Sequence, residues 1–305
     1  MLARFNNGLL YKFIEGDVCT PEDLRKPEIY RAVARRLGQW HSSLPISAIS
    51  TVADKDDMIK GTGCNGVAQH TAATQNGRPK SRPEPNLWTT IQSWIDALPT
   101  ETKEEKARKD KLQDECLELS GKLGETPGLD GNDYVFSHCD LLSGNVIIQP
   151  RETTMDKAPS ADGVTVSFID YEYATPAPAA FDIANHFAEW GGFDCDHSQL
   201  PTTSQRRDFL KHYLISYRNF APRTNGHNDD ELNQIMDQVD LFRGLPGFYW
   251  GIWALIQATI SQIEFDYASY AEIRLGEYWA WKAEAEGSRE REGRTKPLRE
   301  RRWAE

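Results

Sequence analysis

Val135-Phe-Ser-His-Cys-Asp-Leu-Leu-Ser-Gly-Asn-Val-Ile-Ile148 is followed, after a polar loop, by Val164-Thr-Val-Ser-Phe-Ile-Asp-Tyr-Glu-Tyr173. The apolar runs Val135–Phe136, Val146–Ile148 and Val164–Ile169 read as three short strands. The polar residues collect at the strand ends. Asp140 and Asn145 lie in the loop between the first two runs, and Asp170 closes the third. Any one of them could cap a turn. Together, in this order and between these apolar runs, they form a pattern with a chemical use.

That use is phosphoryl transfer. A carboxylate must accept the proton of an incoming hydroxyl and hold it in line, and hard oxygen ligands must hold magnesium on the nucleotide phosphates. Asp140 suits the first task, and Asn145 with Asp170 suits the second. His138-x-Asp140 followed five residues later by Asn145, and then by a strand ending in Asp170, is the layout of a protein-kinase-type catalytic loop and metal-binding Asp. His138 is expected to support the loop by hydrogen bonding.

Further motifs make the resemblance specific. They are His138-Cys-Asp-Leu-Leu-Ser-Gly-Asn145, Phe168-Ile-Asp-Tyr-Glu-Tyr173, Phe181-Asp-Ile-Ala-Asn-His-Phe-Ala-Glu-Trp190, Trp250-Gly-Ile-Trp-Ala-Leu-Ile-Gln257 and Ile263-Glu-Phe-Asp-Tyr267. With these the chain resembles the choline/ethanolamine kinase family, its ethanolamine kinase branch most, over roughly Arg4 to Trp281 with gaps. Aminoglycoside phosphotransferases share the His-x-Asp loop but not the aromatic C-terminal block. The sequence departs from the family at Cys139, where Asn is usual, and at Ala184, where Gly is usual.

The resemblance implies an α+β, protein-kinase-like fold of the choline kinase/aminoglycoside phosphotransferase type, mostly the helical C-terminal lobe. It implies ATP as donor, Mg2+ as cofactor, and ethanolamine as acceptor in phosphatidylethanolamine synthesis. Choline, or a catalytically dead headgroup-binding or partner subunit, are the alternatives. It also implies that Asp182 braces the catalytic loop, and that Tyr173, Glu189, Trp250, Trp253 and Tyr270 form the headgroup pocket. By spacing alone, Trp250 and Trp253 at i,i+3 share one helix face and read as core. An ammonium nevertheless binds well between aromatic faces with a carboxylate nearby. Leu141-Leu142 after the Asp favours ethanolamine, by resemblance only. Tyr11, Phe13 and Ile14 fall at the hinge, where adenine would sit.

Composition bounds the rest. A net charge of −11 and pI near 5.2 argue against nucleic acid and anionic membranes as main partners. Five widely spaced cysteines show no disulfide or metal framework, which suits a reducing cytoplasm. The first residues do not read as a signal peptide, and Leu245–Ile263, broken by Gln257, Thr259, Ser261 and Gln262, reads as a buried helix. No sequence feature reports an oligomeric state.

Residues 1–18 read as a strand, an Asn7–Gly8 turn and a second strand, the remnant of a small lobe and hinge. Residues 19–285 form the large lobe. It has helical spacing at Ile29, Val33, Leu37 and Trp40, at Trp88, Ile91, Trp94, Ile95 and Leu98, over Glu101–Leu123, and over Gln205–Phe220 and Asp229–Phe242. Residues 47–85 are polar and glycine-rich and read as a mobile insertion. Its Gly61-Thr-Gly63 lacks the Lys and strand of a phosphate loop. Ala174–Ala180 reads as a Pro/Ala connector, and 286–305 as a charged, unstructured tail. Only about a dozen residues precede the hinge, with no Gly-rich loop and no strand Lys for a helix Glu. The expectation is an N-terminally truncated member with weak ATP binding and little activity.

Overall fold

The structure, a computed structural model, describes residues 3–5, 8–10, 12–46, 74–75, 78–79, 82–150, 163–221 and 229–305. Strands β1 (Ala3–Phe5) and β2 (Gly8–Leu10) pair antiparallel. After β3 (Asp17–Val18) come the short α1 (Pro21–Leu24) and the long α2 (Pro27–Ser43). A small hairpin, β4 (Thr74–Gln75) with β5 (Arg78–Pro79), precedes α3 (Leu87–Ala97) and α4 (Lys103–Leu123). Apart from that hairpin and residues 82–85, the 47–85 insertion lies outside the described residues.

Four short strands then frame the loop of interest: β6 (Val135–Ser137), β7 (Val146–Gln149), β8 (Thr165–Phe168) and β9 (Thr175–Ala177). β7 lies between β3 and β8, antiparallel to both, with Val146 opposite Phe168 and Asp17 opposite Ile148. β6 pairs antiparallel with β9, Val135 opposite Ala177 and Ser137 opposite Thr175. The expected connector after Tyr173 is therefore partly a strand. Pro176 is tolerated because this two-stranded ribbon is all edge, and Pro is excluded only from ladders that need its missing N–H.

The remaining helices are α5 (Ala179–Ala188), α6 (Thr203–Phe220), α7 (Asp229–Phe242), α8 (Leu245–Ile260), α9 (Tyr267–Ala285), α10 (Ser288–Arg291) and α11 (Leu298–Ala304). Capping boxes from Asn86, Thr102 and Thr202 start α3, α4 and α6, each satisfying backbone donors that the first turn leaves open. α2 packs along α6 at close range: a Cβ on Gly38 would stand 2.4 Å from the Tyr213 carbonyl oxygen. α5 runs through the centre with every residue buried. Around it, Leu37, Ile91, Phe209, Phe242 and Phe248 belong to one continuous core.

The unstructured tail expected at 286–305 is corrected by the structure. Charge hid the one large apolar anchor. Trp303 is buried, donates Nε1–H to Asp240 at 2.7 Å and lies under the Arg206 guanidinium at 3.9 Å. Glu300 pairs with Arg243 at 3.0 Å. The hinge is only partly described: Tyr11 lies outside the described residues, Phe13 is 83% exposed, and Ile14 is half-buried.

Among the described residues no helix is long and apolar enough to cross a membrane.

Candidate active site

The loop between β6 and β7 is held in one shape from three sides. Asn145 Nδ2 donates to the Asp140 carbonyl at 2.8 Å and to its carboxylate Oδ2 at 3.1 Å. The Asn145 carbonyl accepts the Ile169 N–H at 3.1 Å, and the Ile169 carbonyl accepts His138 Nε2–H at 3.0 Å. Donation from Nε2 leaves Nδ1 as acceptor, and the Asp140 N–H points at it from 3.3 Å. Ile169 is thus pinned on both sides, and Asp170, the next residue, projects from a fixed point beside Asp140. Cys139 and Asp170 both have left-handed backbone, at φ +62° and +59°. That region favours Gly, Asn and Asp, so Asp170 suits its position and Cys139 is strained in its own.

Beneath the loop, α5 presents three polar side chains at i, i+3 and i+4 on one face. Asp182, 0% exposed, accepts the backbone N–H of His138 at 2.9 Å and of Cys139 at 2.8 Å, and His41 Nε2–H at 2.9 Å. Asn185 Nδ2 donates to the Cys139 carbonyl at 2.9 Å. His186 Nδ1–H donates to the Leu141 carbonyl at 2.8 Å. Burial pushes His186 down to about 4, so it is a neutral strut. Burial alone would raise the Asp182 pKa. The hydrogen bond and charge of His41, the His138 ring and the Cys139 amide outweigh it and hold the carboxyl below its ordinary value.

Asp140 is half-buried. Burial first, then the carboxylates of Glu189 and Asp170, push it up to about 8, against the Asn145 hydrogen bond. A carboxyl with that much negative charge around it has room for positive charge.

The aromatic residues assemble beside this loop. Trp250 Nε1–H donates to Asn185 Oδ1 at 2.8 Å, so one side chain ties the loop to α8. Tyr173 meets the Trp250 ring edge-on at 5.6 Å, and its hydroxyl accepts Trp253 Nε1–H at 2.9 Å. The Trp250 and Trp253 rings stand perpendicular at 5.4 Å. Trp250 is buried and Trp253 half-buried, so the pair runs from core to accessible surface. Tyr270 comes from α9, beside Phe265 at 5.6 Å and Phe193 at 6.4 Å. Glu189 is buried at the end of α5 and pairs with Arg274 of α9 at 3.1 Å.

For a metal, Asn145 offers Oδ1, which accepts no hydrogen bond from the described residues, and Asp170 offers an exposed carboxylate. No cluster of three or more His, Cys, Asp or Glu among the described residues could hold a metal. One amide and one carboxylate oxygen, completed by phosphate and water, is the sparser set that magnesium accepts, and the raised Asp140 carboxyl fits such a charge nearby.

The structure therefore brings together Asp140, Asn145, Asp170, His138 and Asp182, and beside them Tyr173, Trp250, Trp253, Glu189 and Tyr270. Sequence reading missed His41 and Arg274 and gave Asn185 no task. The spacing of Asp182, Asn185 and His186 on an otherwise apolar helix was the available signal for Asn185. His41 and Arg274 lie in other helices and carry none.

The fold and this loop define a protein-kinase-like α+β protein. An ethanolamine kinase from Plasmodium vivax superposes with a TM-score of 0.65 at 24% identity, covering 90% of this chain and 64% of that one. A choline kinase from Cryptosporidium parvum gives 0.57 at 20%, covering 94% and 73%. The chain belongs to the choline/ethanolamine kinase family, whose sequence model matches residues 1–279. It is 30% identical to a probable ethanolamine kinase of Arabidopsis thaliana, over 91% of this chain and 62% of that protein. It is 33% identical to an ethanolamine kinase of Drosophila melanogaster, over 93% of this chain and 48% of that protein. The chain thus spans between about half and two thirds of the length of these two curated relatives.

Proposed function

We propose that the site transfers the γ-phosphoryl group of ATP to the hydroxyl of ethanolamine, giving phosphoethanolamine for phosphatidylethanolamine synthesis in the cytoplasm. The observation that carries this reading is the adjacency of two parts. Asn185 joins them: its Nδ2 donates to the Cys139 carbonyl next to Asp140 at 2.9 Å, and its Oδ1 accepts the Trp250 indole N–H at 2.8 Å. Asp140 is the general base, fixed by Asn145 and by the Ile169–His138 lock. Asn145 and Asp170 would hold magnesium, which supplies charge neutralisation on the nucleotide phosphates. Tyr173, Trp250, Trp253 and Tyr270 provide faces for the ammonium, and Glu189 the counter-charge. Backbone near Phe13 and Ile14 takes the adenine end.

The test is a phosphotransfer assay with ATP–magnesium on ethanolamine and on choline, with Asp140→Asn beside the parent. Turnover should favour ethanolamine. The variant should lose roughly 10²–10⁴-fold, the usual range for a general base, while keeping ethanolamine affinity. Preference for choline would overturn the acceptor assignment. Near-normal turnover in the variant would overturn the role of Asp140. Binding of ethanolamine without any turnover would mark a headgroup-binding protein.

A further inference from the structure

We propose that Arg274 is a positioning residue of the ammonium pocket, clamping the Glu189 carboxylate beside Tyr270 and setting the pocket's net charge. The inference rests on the ethanolamine reading above and adds to it a residue that touches no substrate.

Arg274 is 1% exposed and sits one helical turn beyond Tyr270 on α9. Its Nη2 donates to Glu189 Oε1 at 3.1 Å, and its Nε lies 3.4 Å from Glu277 Oε2. Its guanidinium carbon is 5.8 Å from the Tyr270 ring centroid. One buried cation therefore contacts two of the pocket's members. α9 can approach this closely because α8 has glycine at the contact. A Cβ on Gly247 would stand 2.6 Å from the Arg274 carbonyl oxygen.

The two acids beside Arg274 share one guanidinium. Glu189 and Glu277 are both buried, and Arg274 lies between them. Glu277 has cationic neighbours besides Arg274, whereas Glu189 draws on Arg274 alone among the described residues. Keeping a buried carboxylate ionised on one shared cation is costly, and an incoming ammonium would give Glu189 a second. The two acids are not equivalent. Glu277 also accepts from His197 at 2.7 Å and faces Arg299, and its carboxyl is held near 2. Glu189 meets Arg274 as its one cationic partner among the described residues, with Glu277 opposing. Asp140, Cys195 and Tyr270 are the other titratable groups that face it. Burial already pushes Glu189 up, against the pull of Arg274. Without Arg274, Glu189 takes a proton at a higher pH and stops attracting an ammonium.

The experiment is calorimetric titration of the full chain with ethanolamine at steps between roughly pH 6 and 8.5, where an alkyl ammonium stays charged. Arg274→Gln, checked for native fold by circular dichroism, should bind at least ten-fold more weakly near neutral pH. It should recover toward the parent at the alkaline end, with the midpoint of the pH dependence raised by a unit or more. Arg274→Lys should restore part of that loss. Glu277→Gln removes the opposing charge and should move the midpoint the other way. A folded Arg274→Gln with the parent's affinity and midpoint overturns the proposal and leaves the ethanolamine reading standing. If Arg274→Gln does not fold, an unmoved midpoint in Glu277→Gln overturns it in the same way. A parent chain that binds no ethanolamine overturns both.

Discussion

Replacing Asp182 by Ala should destabilise the protein by about 3–5 kcal/mol, the usual cost of stranding one half of a buried charged pair. The structure sets out why. The carboxylate is fully buried and satisfies three donors: the His138 and Cys139 amides and the His41 ring. Each buried donor left without a partner costs about 1–3 kcal/mol, and the three share one site, so their sum is an upper bound. Set against a typical total of about 5–15 kcal/mol, the loss is a large fraction. Asp182→Asn should cost less, because the amide keeps one acceptor, but its NH2 must then face another donor. The effect also has a pH signature. The folded carboxyl is held below its ordinary 3.8, so its contribution is present above that value and is lost as pH falls through the lower, folded one. The gap between the parent and the Asn variant should therefore be constant near neutrality and close in acid below about pH 4. Urea unfolding followed by tryptophan fluorescence measures both. A loss under about 1 kcal/mol, with an unchanged denaturant slope, would refute the idea that Asp182 braces the loop.

Asn145→Ala and Asp170→Ala should each raise the magnesium concentration needed for turnover, Asp170→Ala more because it removes a charge; identical magnesium titrations would remove both from the metal site. Trp253→Ala should weaken ethanolamine binding by roughly 1–2 kcal/mol with ATP affinity unchanged; loss of folding in place of affinity would make the ring core and not cage. Trp303→Ala should cost about 3–5 kcal/mol by unfolding, since it empties a buried site and orphans Asp240; an undiminished midpoint would mean that α11 does not anchor the C-terminal end.

The candidate loop was legible because its pattern is local. Asp140 and Asn145 are five residues apart, and Asp170 ends a strand whose apolar run shows where it ends. The large helices were legible for the same reason: Ile29, Val33 and Leu37 mark a buried face that needs no tertiary information. The brace was half visible. Asp182 could be named by resemblance, but nothing in sequence indicates that His41 sits opposite, because the two lie 141 residues apart and meet only in the folded chain.

The two failures share a cause. In 286–305 the density of Arg and Glu matched the composition of a solvated tail, yet Arg299 and Glu300 are buried and Glu300 is paired with Arg243. Composition counts charges, whereas folding depends on whether they find partners. A partnered ion pair beside one large ring can dock a helix that looks disordered on paper. Arg274 shows the same effect at the site. In sequence it is one more cation on a helix with Glu272 and Glu277. In the fold it is the one described cation paired with the pocket's carboxylate. Charge patterning along the chain could not distinguish Arg274 from the exposed Arg108, which pairs with Glu272 at the surface, because the difference between them is burial. An exposed pair is worth little, whereas a buried one controls the protonation of its neighbours.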